Sequence, residues 1–374
     1  MPNKTVVALL GFMLTAFAFA PAQAIPIFAQ RYQMRCDACH SVLPELNAFG
    51  NAFRNSGYRL PAPKHGTTVL AIRYQLEYEK DPAAGSRRFT PGGVVLGGEE
   101  IGAVNAFMHY NLGAGGGPSG LYLGYLAIYN AHTKSLYRGG LIELPLMQSP
   151  GQRLDDLAAY GYYGTHVGLN DLPLSSPRWG LQIERTVGST RLDAIVDDGE
   201  FKGAAYGGKP IATGEITSAN RPELALFVRA PVFTQAEISA GAISGQRFIA
   251  PTGRVSFTDS YTRYNLGAHA RLNKIDLQAE QWWGNDANSD GFGTSVGSSG
   301  GYVRVKYYPF EHLYLAARYD AAQAPFASRT LVLYAAAHVT PHARLLVERR
   351  QPLGGGTGSF GAALTVGFPW PSKL

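Results

Sequence analysis

From about residue 67 to the C-terminus the chain alternates apolar and polar side chains in segments of roughly ten residues, separated by clusters of Gly, Pro, Asn, Asp and Ser. Thr67 to Lys80 shows the pattern most clearly: Leu70, Ile72, Tyr74, Leu76 and Tyr78 take one face and Arg73, Gln75 and Glu77 the other. Between Tyr261 and Leu272, Thr262, Tyr264, Leu266, Ala268, Ala270 and Leu272 oppose Arg263, Asn265, His269 and Arg271. Tyr302, Arg304 and Lys306 likewise oppose Val303, Val305 and Tyr307. A period of two belongs to extended strands, and charges confined to one face make that face wet.

Two architectures satisfy such a pattern. A soluble sandwich or propeller buries the apolar face as its core, whereas a membrane barrel turns that face to lipid and the other to its lumen. Strand length, tyrosines near strand ends and the lack of a per-blade repeat favour the barrel. Charged residues are 16% of the chain, against roughly 25% in ordinary soluble domains. With 45% apolar residues and only one long apolar run, at the N-terminus, the chain is equally unsuited to a bundle of membrane helices. Aromatic residues at 11% argue against disorder. The expected fold is all-β, a transmembrane antiparallel β-barrel over residues 67–374. About 14 to 18 segments fit, and the preference of bacterial barrels for even numbers points to about 16 strands. A barrel of that size encloses an aqueous channel, with Phe360 to Phe368 as its closing strand.

Residues 1–24 read as an export signal: Lys4, an apolar core from Val6 to Ala20, and the small-residue cleavage pattern Ala22-Gln23-Ala24. Loss of the one charged residue there, Lys4, takes the formal net charge from +6 to +5. So mild an excess, without a Lys/Arg run, gives no case for nucleic acid as a partner, and none is expected.

Both cysteines fall in Cys36-Asp37-Ala38-Cys39-His40, the C-x-x-C-H pattern of covalent haem c attachment. Two thiols at that spacing reach the two vinyl groups on one porphyrin edge, and the adjacent His40 turns back to ligate iron as the proximal ligand. A redox disulfide would bring a thioredoxin-like βαβ pattern and a zinc site further ligands nearby; neither is present. The second axial position is open to His65, to His109 or to no protein ligand. Met34 lies too close to Cys36 to reach the far side of the ring easily, and Met108 and Met147 are more remote donors.

Residues 25–66 form a unit of their own, in which Leu46, Phe49 and Phe53 recur at helical spacing as an apolar stripe suited to a haem face. About 40 residues rarely fold alone. Joined directly to a wide barrel, this small α-helical segment is expected to plug the lumen. Weaker signals are Asp286-Ala287-Asn288-Ser289-Asp290-Gly291, half of a calcium loop that lacks its closing Glu at Gly297 and reads as an exposed barrel loop, and the acidic Glu99-Glu100 and Asp197-Asp198 with Glu200, which read as solvated loop ends, with cation gathering at the barrel mouth as the alternative. No nucleophilic triad or phosphate-cradling loop occurs in a credible context.

Phe28-Ala29-Gln30-Arg31-Tyr32, Cys36-Asp37-Ala38-Cys39-His40, Pro44-Glu45-Leu46-Asn47-Ala48-Phe49-Gly50 and Asn55-Ser56-Gly57-Tyr58 together resemble the N-terminal monohaem segment of the fused outer-membrane cytochrome-porins of iron-oxidising bacteria. The resemblance is specific over residues 28–60 and architectural beyond. It implies one haem c held by Cys36 and Cys39 with His40 on the iron, the outer membrane of a Gram-negative cell, and an iron:cytochrome c oxidoreductase type of one-electron transfer. Electrons would pass from extracellular Fe(II) to a periplasmic c-type cytochrome or other electron carrier. Arg73, Arg263 and Arg304 are lumen candidates to pair with haem propionates. The alternative from another class is a porin for small solutes with a structural or sensory haem plug.

Overall fold

The computed structural model describes residues 26–370 apart from 35, 43–44, 61–69, 82–84, 115–118, 150–155, 165–166, 171–173, 199–213, 219–220, 252, 311, 324–326 and 341–342. The export signal, His65 and the expected boundary at residues 66 and 67 lie outside the described residues.

The N-terminal segment contains three short helices, α1 (Pro26–Tyr32), α2 (Cys36–Cys39) and α3 (Ala48–Asn55), and a small antiparallel ladder of β1 (His40–Val42) and β2 (Glu45–Leu46). The wall begins with β3 (Leu70–Asp81), β4 (Ser86–Ile101), β5 (Val104–Ala114), β6 (Gly120–Asn130), β7 (Ser135–Ile142), β8 (Arg178–Val187) and β9 (Thr190–Asp197). After the short β10 (Gly214–Ser218) come β11 (Glu223–Phe233), β12 (Ala236–Pro251), β13 (Phe257–Leu272), β14 (Ile275–Asp286) and β15 (Val296–Phe310). It ends with β16 (Leu313–Gln323), β17 (Ser328–Thr340), β18 (Ala343–Pro352) and β19 (Ser359–Trp370). Wall neighbours pair antiparallel, and β19 closes the ring on β3 from Phe360↔Lys80 to Trp370↔Leu70. Strand β9 pairs directly with β11, so β10 stands outside the ring and pairs only with the far end of β12, leaving a closed wall of 16 strands. The last strand runs further than its alternation suggested, through Pro369 opposite Ala71.

Burial along the strands is inside out. In β11, Leu224 and Leu226 are exposed at 53% and 62%, while Glu223 between the wall and the lumen contents is exposed at 1%. Strand β8 repeats the arrangement, with Leu181 and Ile183 outside and Arg178, Gln182 and Glu184 buried. An apolar exterior over a charged interior is stable only if lipid meets the outside, so the wall is a membrane-spanning surface. Because period two is fixed by the backbone, each strand supplies both surfaces at once.

The lumen of the barrel is occupied in part by a connection that the alternation pattern did not announce. The described residues of the connection between β7 and β8 fold inward as a lumen loop: Leu144, Leu146, Tyr160, Tyr162, Tyr163 and Leu174 pack against Ile195, Phe227, Tyr261, Trp282 and Tyr302 of the wall. Polar contacts fix this lumen loop. Arg318 pairs with Asp156 and donates to the Ala159 carbonyl at 3.0 Å, and the Leu157 amide donates to Glu348 at 2.7 Å. Asn170 Nδ2 donates to Asp259 at 2.7 Å and to Asp286 at 2.9 Å. Asp286 and Ser289 are wholly buried, so the half calcium loop is in part an anchor for the lumen loop and not simply an exposed turn.

Candidate functional site

The N-terminal segment lies on the inner wall, on the side formed by β3 to β6. Ile27, Phe28, Tyr32 and Phe53 are buried against Ala71, Leu96, Phe107, Tyr122 and Leu123. Each of these helices is too short to be stable in water alone, and the wall supplies the missing apolar partner. Phe28 stacks on Tyr58 at 4.4 Å and Tyr58 on Phe107 at 6.0 Å. Gly57 and Tyr58 both take the left-handed conformation, with φ of 69° and 63°. Only a glycine enters that region freely, and the aromatic stack compensates the tyrosine. Polar contacts lock the segment in register: Arg31 to the Gly98 carbonyl at 2.6 Å, Asn105 to the Gly57 carbonyl at 2.7 Å, and Arg59 to Glu100 at 2.6 Å. The acidic pair Glu99-Glu100 thus serves to bind this segment, with Glu99 at 3.9 Å from Arg31. Asp197 lies 4.0 Å from the Arg178 guanidinium, while Glu200 lies outside the described residues.

Cys36 to Cys39 make one helical turn, so the two cysteine positions stand at i and i+3, followed directly by His40 at the start of β1. Only the backbone is described for Cys36 and His40. The turn is gripped by the start of α3. Asn47 donates from its backbone to the Cys39 carbonyl at 2.9 Å and from Nδ2 to the Ala38 carbonyl at 3.0 Å, and its Oδ1 caps the helix by accepting from the Gly50 amide at 2.8 Å. Gly50 packs so closely that a Cβ there would stand 2.1 Å from the Cys39 oxygen. Cys39 is a free, half-buried thiol, and burial pushes its pKa up. A redox thiolate would need the opposite shift. A thiol-bearing turn fixed by backbone contacts and followed by a histidine fits the donor set of a covalent haem c, with Cys36 and Cys39 for the porphyrin edge and His40 for the iron.

The candidates for the other axial position are separated by the alternation of β5. Asn105, Phe107 and His109 are buried on the inner face and Met108 lies on the other. His109 is 3% exposed, meets Tyr122 edge-on at 5.0 Å and contacts Asn111 Oδ1 through Nε2 at 3.2 Å. Tyr122 belongs to the same apolar cluster on which Cys39 and Met34 pack. His109 thus touches a residue of the cluster against which Cys39 and Met34 pack. Phe53 is buried as the stripe requires, whereas Phe49 is 41% exposed and stacks on Phe53 at 6.4 Å. Arg263 and Arg304 do not face the N-terminal segment: Arg263 pairs with Asp286 at 2.8 Å, and Arg304 lies 3.2 Å from the hydroxyl of Tyr160 in the lumen loop. No cluster of three or more His, Cys, Asp or Glu suited to a metal occurs among the described residues.

Sequence reasoning missed the lumen loop. Its one signal was a stretch of about 35 residues without period-two alternation, far longer than an ordinary connection.

No protein-family model matches the chain, and no characterised protein matches its sequence significantly. Solved structures do. The anion-selective porin from Comamonas acidovorans superposes with a TM-score of 0.58 at 11% identity, covering 81% of this chain and 99% of that one. The outer membrane channel DcaP of Acinetobacter baumannii gives 0.54 at 12% identity, over 81% and 96%. In-vitro folded OmpT, an outer membrane protein of Vibrio cholerae, gives 0.55 at 11%, over 81% and 99%. The chain has the porin fold. At these identities the likeness extends to the fold alone.

Proposed function

We propose that the chain is an outer-membrane electron conduit of a Gram-negative bacterium, in which a porin-type barrel is stoppered by its own N-terminal segment carrying one covalent haem c. The observation that carries this reading is the C-x-x-C-H turn, gripped by Asn47 and Gly50 in a segment packed on the lumen wall. When bound, the haem would supply a one-electron redox site between extracellular Fe(II) as donor and a periplasmic c-type cytochrome or other electron carrier as acceptor. Cys36 and Cys39 would hold the group and His40 would ligate its iron, while Met34 packs on the same apolar cluster as Cys39 and His109 touches that cluster through Tyr122. Arg31, Arg59 and Asn105 keep the segment fixed against the wall, which limits the reorganisation that each electron transfer demands. Packing of the lumen loop on the wall narrows the remaining bore, and in this reading charge crosses without passage of iron. This is an iron:cytochrome c oxidoreductase type of activity, with iron as substrate. Anaerobic addition of Fe(II) to purified haem-loaded protein tests it: the reduced haem bands should appear, and their absence at both neutral and acidic pH would defeat the iron assignment.

The structural neighbours favour a second reading, a porin for small solutes in which the segment is a structural or sensory stopper. The relatives by fold include an anion-selective porin and an outer membrane channel. Solute conductance in planar bilayers together with no Fe(II)-driven haem reduction would select this reading.

A further inference from the structure

Between the N-terminal segment and the lumen loop lies a cavity of about 120 Å³. Four arginines line it and come from four elements: Arg54 of α3, Arg138 of β7, Arg191 of β9 and Arg229 of β11. Glu143 is the one carboxylate in the described lining, and its two oxygens already accept from Tyr122 and, at 2.7 Å, from Ser149. Behind the cavity Arg138 and Arg191 share Glu184 at 3.1 and 3.3 Å, and Arg191 also holds Asp193 at 2.9 Å. Arg229 comes no closer than 3.7 Å to Glu237. The Arg54 guanidinium makes no hydrogen bond or ion pair with any described residue. Burial, and then the facing Arg191 and Arg229, push its pKa down to about 10.

Guanidinium groups gathered in a half-dry lumen repel one another and lose hydration, and an anion between them offsets both costs. Their planar forks match carboxylate and phosphate oxygens in bidentate fashion. We propose that this cavity is an anion site for a carboxylate or phosphate-like group, gripped by Arg54 from the N-terminal segment and by Arg191 and Arg229 from the wall. The anionic oxygens come from one of two sources, a propionate of the covalent haem or a free solute in the lumen. The site rests on the lumen placement of the segment, and its first source also on the haem reading.

The test uses full-length haem-loaded protein in detergent, with Arg54→Gln, Arg54→Lys and Arg229→Gln beside Arg254→Gln in an exposed hairpin as control. Heat-modifiable gel mobility checks that each barrel is folded. If the source is a solute, calorimetric titration with inorganic phosphate gives one saturable site, weakened at least tenfold in R54Q and R229Q and restored in part by R54K. If the source is the propionate, phosphate does not bind. The haem reduction potential then falls in R54Q and R229Q, since lost positive charge favours the oxidised state, and stays at the wild-type value in R254Q. No phosphate binding combined with unchanged potentials overturns the proposal. A chain that proves to carry no haem defeats the electron-conduit reading separately, and the phosphate titration alone then decides the site.

Discussion

Replacing Gly50 with Ala tests whether the grip of α3 on the cysteine turn holds the N-terminal segment together. The new Cβ would stand 2.1 Å from the Cys39 carbonyl oxygen and 2.9 Å from its carbon. Carbon and oxygen in ordinary contact stay about 3.3 Å apart or more, so the turn and the helix must separate by about 1 Å. The atoms that collide belong to the backbone, which cannot swing aside as a side chain would. Separation breaks the Asn47 to Cys39 bond of 2.9 Å and disturbs the Gly50 to Asn47 cap of 2.8 Å. Overpacking costs about 1–3 kcal/mol, and each lost hydrogen bond adds about 0.5–1.5 kcal/mol. The better helix propensity of Ala returns about 0.5–1 kcal/mol. With both bonds counted the net is about 1–5.5 kcal/mol, which raises the local opening constant roughly fivefold to nearly ten-thousandfold at about 1.4 kcal/mol per decade. Hydrogen exchange on full-length protein should show amides of residues 36–58 accelerating by that factor, with those of β13 and β14 unchanged because the barrel ladders do not depend on the segment. Exchange over 36–58 within twofold of wild type would refute the reasoning.

Breaking the latch of the lumen loop should widen the bore: Arg318→Leu removes a buried partner from Asp156 and Asp320, at a cost of about 3–5 kcal/mol to the loop contacts, and single-channel conductance in planar bilayers should rise above wild type. Glu348→Gln, which weakens the acceptor for Leu157 and Ala158, should act in the same direction but less. Replacing Cys36 and Cys39 together by Ser should abolish haem staining on a denaturing gel while heat-modifiable mobility of the barrel persists; staining that survives both changes rules out thioether attachment. His109→Leu should convert a six-coordinate haem spectrum to a five-coordinate one if His109 ligates iron, and an unchanged spectrum transfers that position to Met34 or leaves it open. On the lipid face, Leu266→Arg should lower the folded fraction by about 2–4 kcal/mol if placed near the bilayer midplane, and urea titration of the gel-shifted band measures it.

Strand pattern and fold class were legible in residues such as Leu70 to Tyr78 because the period of two is a local property of extended backbone, independent of what the strand packs against. The same holds for the cysteine motif, whose spacing is itself the chemistry. Roles that depend on partners distant in the chain were not legible. Arg263 and Arg304 alternate with Val and Thr exactly where a lumen residue should, yet their partners are Asp286 and the loop tyrosine Tyr160 rather than anything in the N-terminal segment. Glu100 reads as a solvated loop end until Arg59, 41 positions earlier, folds onto it. Phe49 and Phe53 look equivalent on a helical wheel, and only the wall decides that one is buried and the other left at the surface.

By itself the sequence determined that the chain forms a barrel with an apolar outside, that Phe360 to Phe368 belongs to its closing strand, and that its two cysteines stand three positions apart with a histidine directly after. The tertiary structure decided what fills the barrel. The inward packing of the lumen loop's described residues and the bed of the N-terminal segment follow from complementary surfaces on strands far apart in sequence, where aromatic shape and ion pairing select one arrangement among many that the same polar lumen would admit. The gathering of Arg54, Arg138, Arg191 and Arg229 around one cavity is a product of that closure, since no two of them share a strand.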